Sequence, residues 1–76
     1  MKVFIETTDT FGGEANYCWV DRSEIEMDDN ASEMAIVRRC KKEQGITARH
    51  VKTSYGDMIQ LDYVGNWRRT YITFEN

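Results

Sequence analysis

One stretch of the chain carries helical periodicity, and the segments on either side of it alternate. Residues 29–44, "DNASEMAIVRRCKKEQ", place Met34, Ile36, Val37 and Cys40 on one face. Arg38, Arg39 and Lys42 fall on the opposite face. Asn30 followed by Glu33 fits a capping box at the start. Asp28 and Asp29 precede that start, and basic residues crowd the end, as the helix dipole favours. Gly45 is placed for a left-handed stop. A single amphipathic helix must lay its apolar face on something flat.

The flat partner is supplied by five β-type runs. "KVFIET" and "NYCWVDRSEIEM" precede the helix. "ARHVKTSY", "MIQLDYV" and "WRRTYITFE" follow it, separated by "GD" and by the hairpin signal Gly65-Asn66. Gly12 and Gly13 suit a loop that returns the chain between the first two strands. The order ββαβββ implies an α+β domain over residues 1–76: a mostly antiparallel sheet with one helix packed on one face.

Covering one face leaves the other bare. The aliphatic set expected under the helix is Val3, Ile5, Cys18, Val20, Val51, Ile59, Leu61, Ile72 and Phe74. Strand alternation then sends Phe4, Tyr17, Trp19, Trp67, Arg69 and Tyr71 outward, with Glu6, Asp21, Gln60 and Asp62 among them. Trp, Tyr and Arg are the residue types that dominate binding hot spots. Tyr17, Trp19, Trp67, Arg69 and Tyr71 are therefore the expected partner-binding residues. The plainer alternative is that these rings pair across strands for stability alone, or that reversed parity buries Tyr17 and Trp19 under the helix.

Charge adds a second constraint. The net charge is −3. Residues 1–36 carry nine acids and two bases, giving −7, and residues 37–76 carry eight bases and four acids, giving +4. Glu24, Glu26, Asp28, Asp29 and Glu33 form an acidic candidate surface. Arg38, Arg39 and Lys42 form a basic one that could meet phosphate or an acidic protein, although a solvated helix end explains it as simply. An acidic whole argues against a dedicated nucleic-acid binder.

Catalytic constellations are not legible. His50 is the only histidine, and no metal-ligand spacing surrounds it. Ser54, His50 and Asp57 can be named together, but no nucleophile elbow frames either serine. "FGGE" has neither dinucleotide nor P-loop spacing, and a strand rather than a helix follows it. Neither cofactor nor metal is expected. Cys18 and Cys40 lie outside any CxxC pattern and read as free, semi-buried thiols of a reducing compartment, with a single bridge between them as the alternative. No apolar run reaches membrane-spanning length. The start turns acidic too soon for a secretory signal, so the expectation is a cytoplasmic protein without membrane contact.

The segment "ETTDTFGGEANYCWV", continued by "AIVRRCKKEQGI" and "YGDMIQL", resembles small uncharacterised proteins encoded by bacteriophages and prophages. The resemblance spans most of the chain but brings no motif of known chemistry. It implies an accessory role in a bacterial cytoplasm, such as binding and blocking a host or defence complex, CRISPR machinery included. The acidic residues would then mimic nucleic acid. The alternative is a weak nucleic-acid binder using sheet aromatics, Arg68, Arg69 and the basic helix end. A structural component of the phage particle is a third role. A homodimer through the open face is a further arrangement this pattern allows.

Overall fold

The computed structural model describes residues 1–9, 19–65 and 67–75, with the backbone alone at 9, 19 and 20. Strands β1 (Lys2–Asp9) and β2 (Trp19–Glu26) precede helix α1 (Glu33–Glu43). Strands β3 (His50–Ser54), β4 (Met58–Tyr63) and β5 (Arg68–Glu75) follow it. The strands form one antiparallel sheet in the order β2-β1-β5-β4-β3, so β2 and β3 are its edges. The expected α+β, ββαβββ architecture is the one observed. No helix among the described residues is long and apolar enough to cross a membrane.

One face of the sheet supplies the core. Val3, Ile5, Ile25, Ile59, Leu61, Tyr63 and Ile72 meet Ile36, Val37 and Cys40 of the helix, all buried. Phe74, expected there, is partly buried against the same cluster. Two expected members are elsewhere. Met34 is 68% exposed and Val51 59% exposed. The helix meets the sheet through a narrower stripe than its periodicity allows, which leaves Met34 at the margin. Val51 pairs with Asp62, on the side away from the helix. Cys18 and the side chain of Val20 lie outside the described residues.

The helix starts two residues later than the capping box suggested. The Asp28 carboxylate accepts the Asn30 N–H at 2.8 Å, and the Asp28 carbonyl accepts the Ala31 N–H at 3.1 Å. This turn occupies Asn30 ahead of the helix. Ser32 is extended (φ −71°, ψ 158°) and caps instead, its Oγ accepting the Ala35 N–H at 3.2 Å. Glu33 is thereby released from capping and reaches β3. The C-terminal stop is as expected. Gly45 has φ 66°, the Ile46 N–H bonds the Lys41 carbonyl and the Gly45 N–H bonds that of Lys42. Both bonds of a Schellman stop are present.

A directional chain of hydrogen bonds lies beneath the helix end. Thr7 Oγ1 donates to Gln44 Oε1 at 2.5 Å. Thr7 must therefore accept from Thr70 Oγ1 at 2.7 Å. Thr70 in turn must accept from the Tyr63 hydroxyl at 2.6 Å. Gln44 Nε2 donates onward to the Ile5 carbonyl and Ser23 Oγ. Thr7 and Thr70 are buried, and this network satisfies them.

The β3–β4 turn closes through Gly56 (φ 75°) and Asp57, with the Tyr55 N–H on the Met58 carbonyl. The β4–β5 link is longer than the two residues expected, running from 64 to 67 around Gly65 (φ 87°). Asn66 and the turn glycines Gly12 and Gly13 lie outside the described residues.

Candidate interaction face

Strand register places the side chains of the helix-free face in rows. Glu24, Phe4, Thr73 and Met58 form one, and Arg22, Glu6, Tyr71, Gln60 and Thr53 the next. Thr8, Arg69, Asp62 and Val51 form a third. The outward placement expected for Phe4, Glu6, Gln60, Asp62, Arg69 and Tyr71 is the one found, and all six are half-buried.

β2 departs from the expected parity. Thr7 pairs with Asp21 but Thr8 pairs with Trp19, so Val20 is an extra residue and the ladder bulges. South of the bulge, Ile25, Ser23 and Asp21 share rows with Val3, Ile5 and Thr7, on the helix side. Asp21 is thus not on the open face. The backbone of Trp19 sits at the end of the Thr8–Arg69–Asp62 row. Its side chain and all of Tyr17 lie outside the described residues. Thr8 is fully buried although its row belongs to the open face, so that face is not uniformly bare. Trp67 is 60% exposed in the β4–β5 link rather than in a strand.

A network of hydrogen bonds and ion pairs occupies the centre of this face. Asp62 accepts from Arg69 Nε at 2.6 Å and from Gln60 Nε2 at 2.8 Å, and Arg69 Nη1 donates to the Tyr71 hydroxyl at 3.4 Å. Burial opposes the Asp62 charge, yet the Gln60 and Arg69 hydrogen bonds outweigh it and hold the carboxyl below its ordinary pKa. Beside it, Arg22 bridges Glu6 at 3.0 Å. A hollow of about 400 Å³ opens between Phe4, Glu6, Arg22, Glu24 and Thr73. The patch offers aromatic edges and two guanidinium–carboxylate pairs, Arg69–Asp62 and Arg22–Glu6, formed before any partner arrives.

The acidic candidates fall in two places, Glu24, Glu26 and Asp29 around Met1 and Lys2 and Glu33 beside β3, and these four are paired with cations of the chain itself. Glu24 faces Lys2 at 3.7 Å. Glu26 and Asp29 share the Met1 ammonium at 3.2 and 2.7 Å. Asp28 closes its turn, as described. Glu33, on the far side of the fold, bonds Lys52 Nζ and Ser54 Oγ, each at 3.0 Å. The Lys52 bond, with that of Ser54, keeps the Glu33 carboxyl below its ordinary pKa. The basic candidates Arg38, Arg39 and Lys42 are exposed on α1, with Arg39 paired to Glu43 at 3.5 Å. They lie on the opposite side of the sheet from Arg69 and Tyr71. Sheet aromatics and basic helix end therefore do not form one continuous surface.

The residues named for a triad are engaged otherwise. Ser54 Oγ donates to Glu33, and His50 Nδ1 faces Lys41 Nζ at 3.2 Å. Among the described residues, no group of three or more His, Cys, Asp or Glu is placed to hold a metal ion. Cys40 is free and buried, and burial pushes its thiol pKa up to about 12.

The Gln60–Asp62–Arg69–Tyr71 network was not anticipated as a unit. Alternation placed all four residues outward, but their mutual bonds depend on cross-strand register, which only the turns fix. Comparison with known proteins assigns no relationship: no family model, no curated protein and no solved structure matches this chain.

Proposed function

We propose that this chain is a small non-enzymatic binding protein of phage type. It docks its helix-free sheet face on a protein of the bacterial host, such as a component of a defence complex, and inhibits or redirects it. The observation that carries the reading is the ordered patch of Gln60, Asp62, Arg69 and Tyr71 beside Phe4. Such side chains are already immobilised, so binding costs less rotamer entropy. A buried interfacial arginine with a fixed orientation is also a usual hot spot. The resemblance noted above supplies the phage and host context, with the bacterial cytoplasm as its place of action.

Because Glu24, Glu26, Asp29 and Glu33 are already paired with cations of this chain, they support docking through this patch better than mimicry of a nucleic-acid backbone. The test is capture from bacterial lysate by the wild type and by Tyr71→Ala and Arg69→Glu variants of matched thermal stability. Specific proteins lost from both variants support the face. Sedimentation showing a dimer that both substitutions dissociate would instead assign the face to self-association.

A further inference from the structure

On the other side of the sheet, a groove of about 440 Å³ runs between α1 and the edge strand β3. Met34, Val37, Arg38 and Lys41 line it from the helix, and His50 and Lys52 from the strand. Its walls are cationic in a chain whose net charge is −3. Lys52 is balanced by Glu33 at 3.0 Å. Lys41 donates to the Ala48 carbonyl at 2.6 Å and faces His50 Nδ1, which must accept because an ammonium only donates. Among the described residues no carboxylate pairs with Lys41, whose partners are the Ala48 carbonyl and His50, and Arg38 stands exposed at the groove's rim. Between them, 68%-exposed Met34 and the flank of Val37 make an apolar floor.

The strand wall has a second property. β3 pairs with β4 alone, and Val51–Ser54 are exposed. The Val64 N–H bonds the Arg49 carbonyl and the Tyr55 N–H bonds the Met58 carbonyl. In an antiparallel ladder these bonds fix the alternation: odd residues of β3 bond β4, and His50, Lys52 and Ser54 direct their N–H and C=O groups outward. The side chains of those same residues face the helix side. Among the described residues β4 is the one strand beside β3, so an added strand would pair with these outward groups and have Lys52, with Lys41 and Arg38 across the groove, on one side.

We propose that the α1/β3 groove binds an extended acidic segment of another protein, of the pattern acid–x–apolar–x–acid. Its backbone pairs with the outer edge of β3. Alternate residues of an added strand share one face. The two carboxylates then meet Arg38 and Lys41 or Lys52, and the apolar side chain between them rests on Met34 and Val37. The apolar floor favours a peptide over a phosphate backbone. A second copy is a poorer occupant. Pairing β3 with β3 opposes like charges. The acidic edge strand β2 has its Ile25 buried in its own core and Glu24 and Glu26 already paired.

The test uses the whole chain, labelled for NMR, titrated with the capped peptide TETLTET. The controls are TKTLTKT and a short oligothymidylate. The proposal expects saturable shifts at Met34, Arg38, Lys41 and Lys52, no binding of the lysine peptide, and affinity about tenfold weaker in Arg38→Glu. Met34→Asn should weaken it too, while Arg69→Glu, on the opposite face, should leave it unchanged. Unaltered affinity in Arg38→Glu, or equal binding of the lysine peptide, would overturn it. So would tighter binding of the oligothymidylate, which would make this a phosphate groove. Shifts at the same residues on raising protein concentration alone would assign the groove to a second copy, with the same consequence.

Discussion

Arg69 is held at two points, by the Asp62 carboxylate and the Tyr71 hydroxyl, and Asp62 is held again by Gln60. A half-exposed ion pair of this kind contributes little stability, roughly 0–1 kcal/mol. Its value lies in a fixed orientation. Arg69→Glu should therefore change binding far more than the melting temperature. The buried chain from Tyr63 to Gln44 behaves the other way. Each hydroxyl there has one donor sense, so Tyr63→Phe leaves Thr70 without its donor. We expect Tyr63→Phe to lower unfolding free energy by about 1–3 kcal/mol in urea titrations. Cys40, 1% exposed with its thiol pKa pushed to about 12, should resist thiol reagents in the folded state. In a Cys18→Ser background its labelling should follow global unfolding.

At the scale of elements, α1 is fixed at both ends by side chains. Ser32 caps its start, and Gln44 ties its end to β1 and β2. Ser32→Ala should cost about 1 kcal/mol, measured by chemical denaturation, whereas Asn30→Ala should cost less because Asn30 does not cap the helix. These ends show what the sequence could and could not reveal. The helix, the ββαβββ succession of elements and the Gly45 stop follow from periodicity and backbone preference, both local, whereas the pairing of β1 with β5 is not local. The N-cap was misplaced because two polar residues compete for it, and an Asp28 turn decides. Asp21 was misplaced because alternation holds only along an unbroken ladder, and the bulge at Val20 breaks it. Val51 failed for another reason. At the edge strand there is little core for an aliphatic side chain to enter, so turn geometry at Gly56 sets the register instead of hydrophobicity. The same edge position creates the α1/β3 groove, which no motif in the sequence announces.

At the scale of the whole molecule, the sheet separates two surfaces: the ordered polar and aromatic face, and the cationic groove beside the helix. The groove also gives stability a pH dependence. Burial, and then the charges of Lys41 and Lys52, hold His50 below its ordinary pKa of 6.5. The unfolded chain therefore takes up this proton at higher pH than the folded one. Stability is full above about 6.5 and is lost as pH falls through the folded value. Glu33 and Asp62, also held low, extend the loss further into acid. Melting temperature should fall between about pH 7.5 and about pH 5.5, and His50→Gln should flatten that part of the curve.

The central question is whether the helix-free face meets a bacterial protein. The most direct measurement is quantitative capture from bacterial lysate by wild type, Tyr71→Ala, Arg69→Glu and Arg38→Glu, each verified to melt normally. Docking through this face predicts a specific set of captured proteins that falls by about tenfold or more in Tyr71→Ala and Arg69→Glu. A set retained in full by both sheet-face variants would contradict it. Loss in Arg38→Glu alone would move the partner to the groove beside the helix.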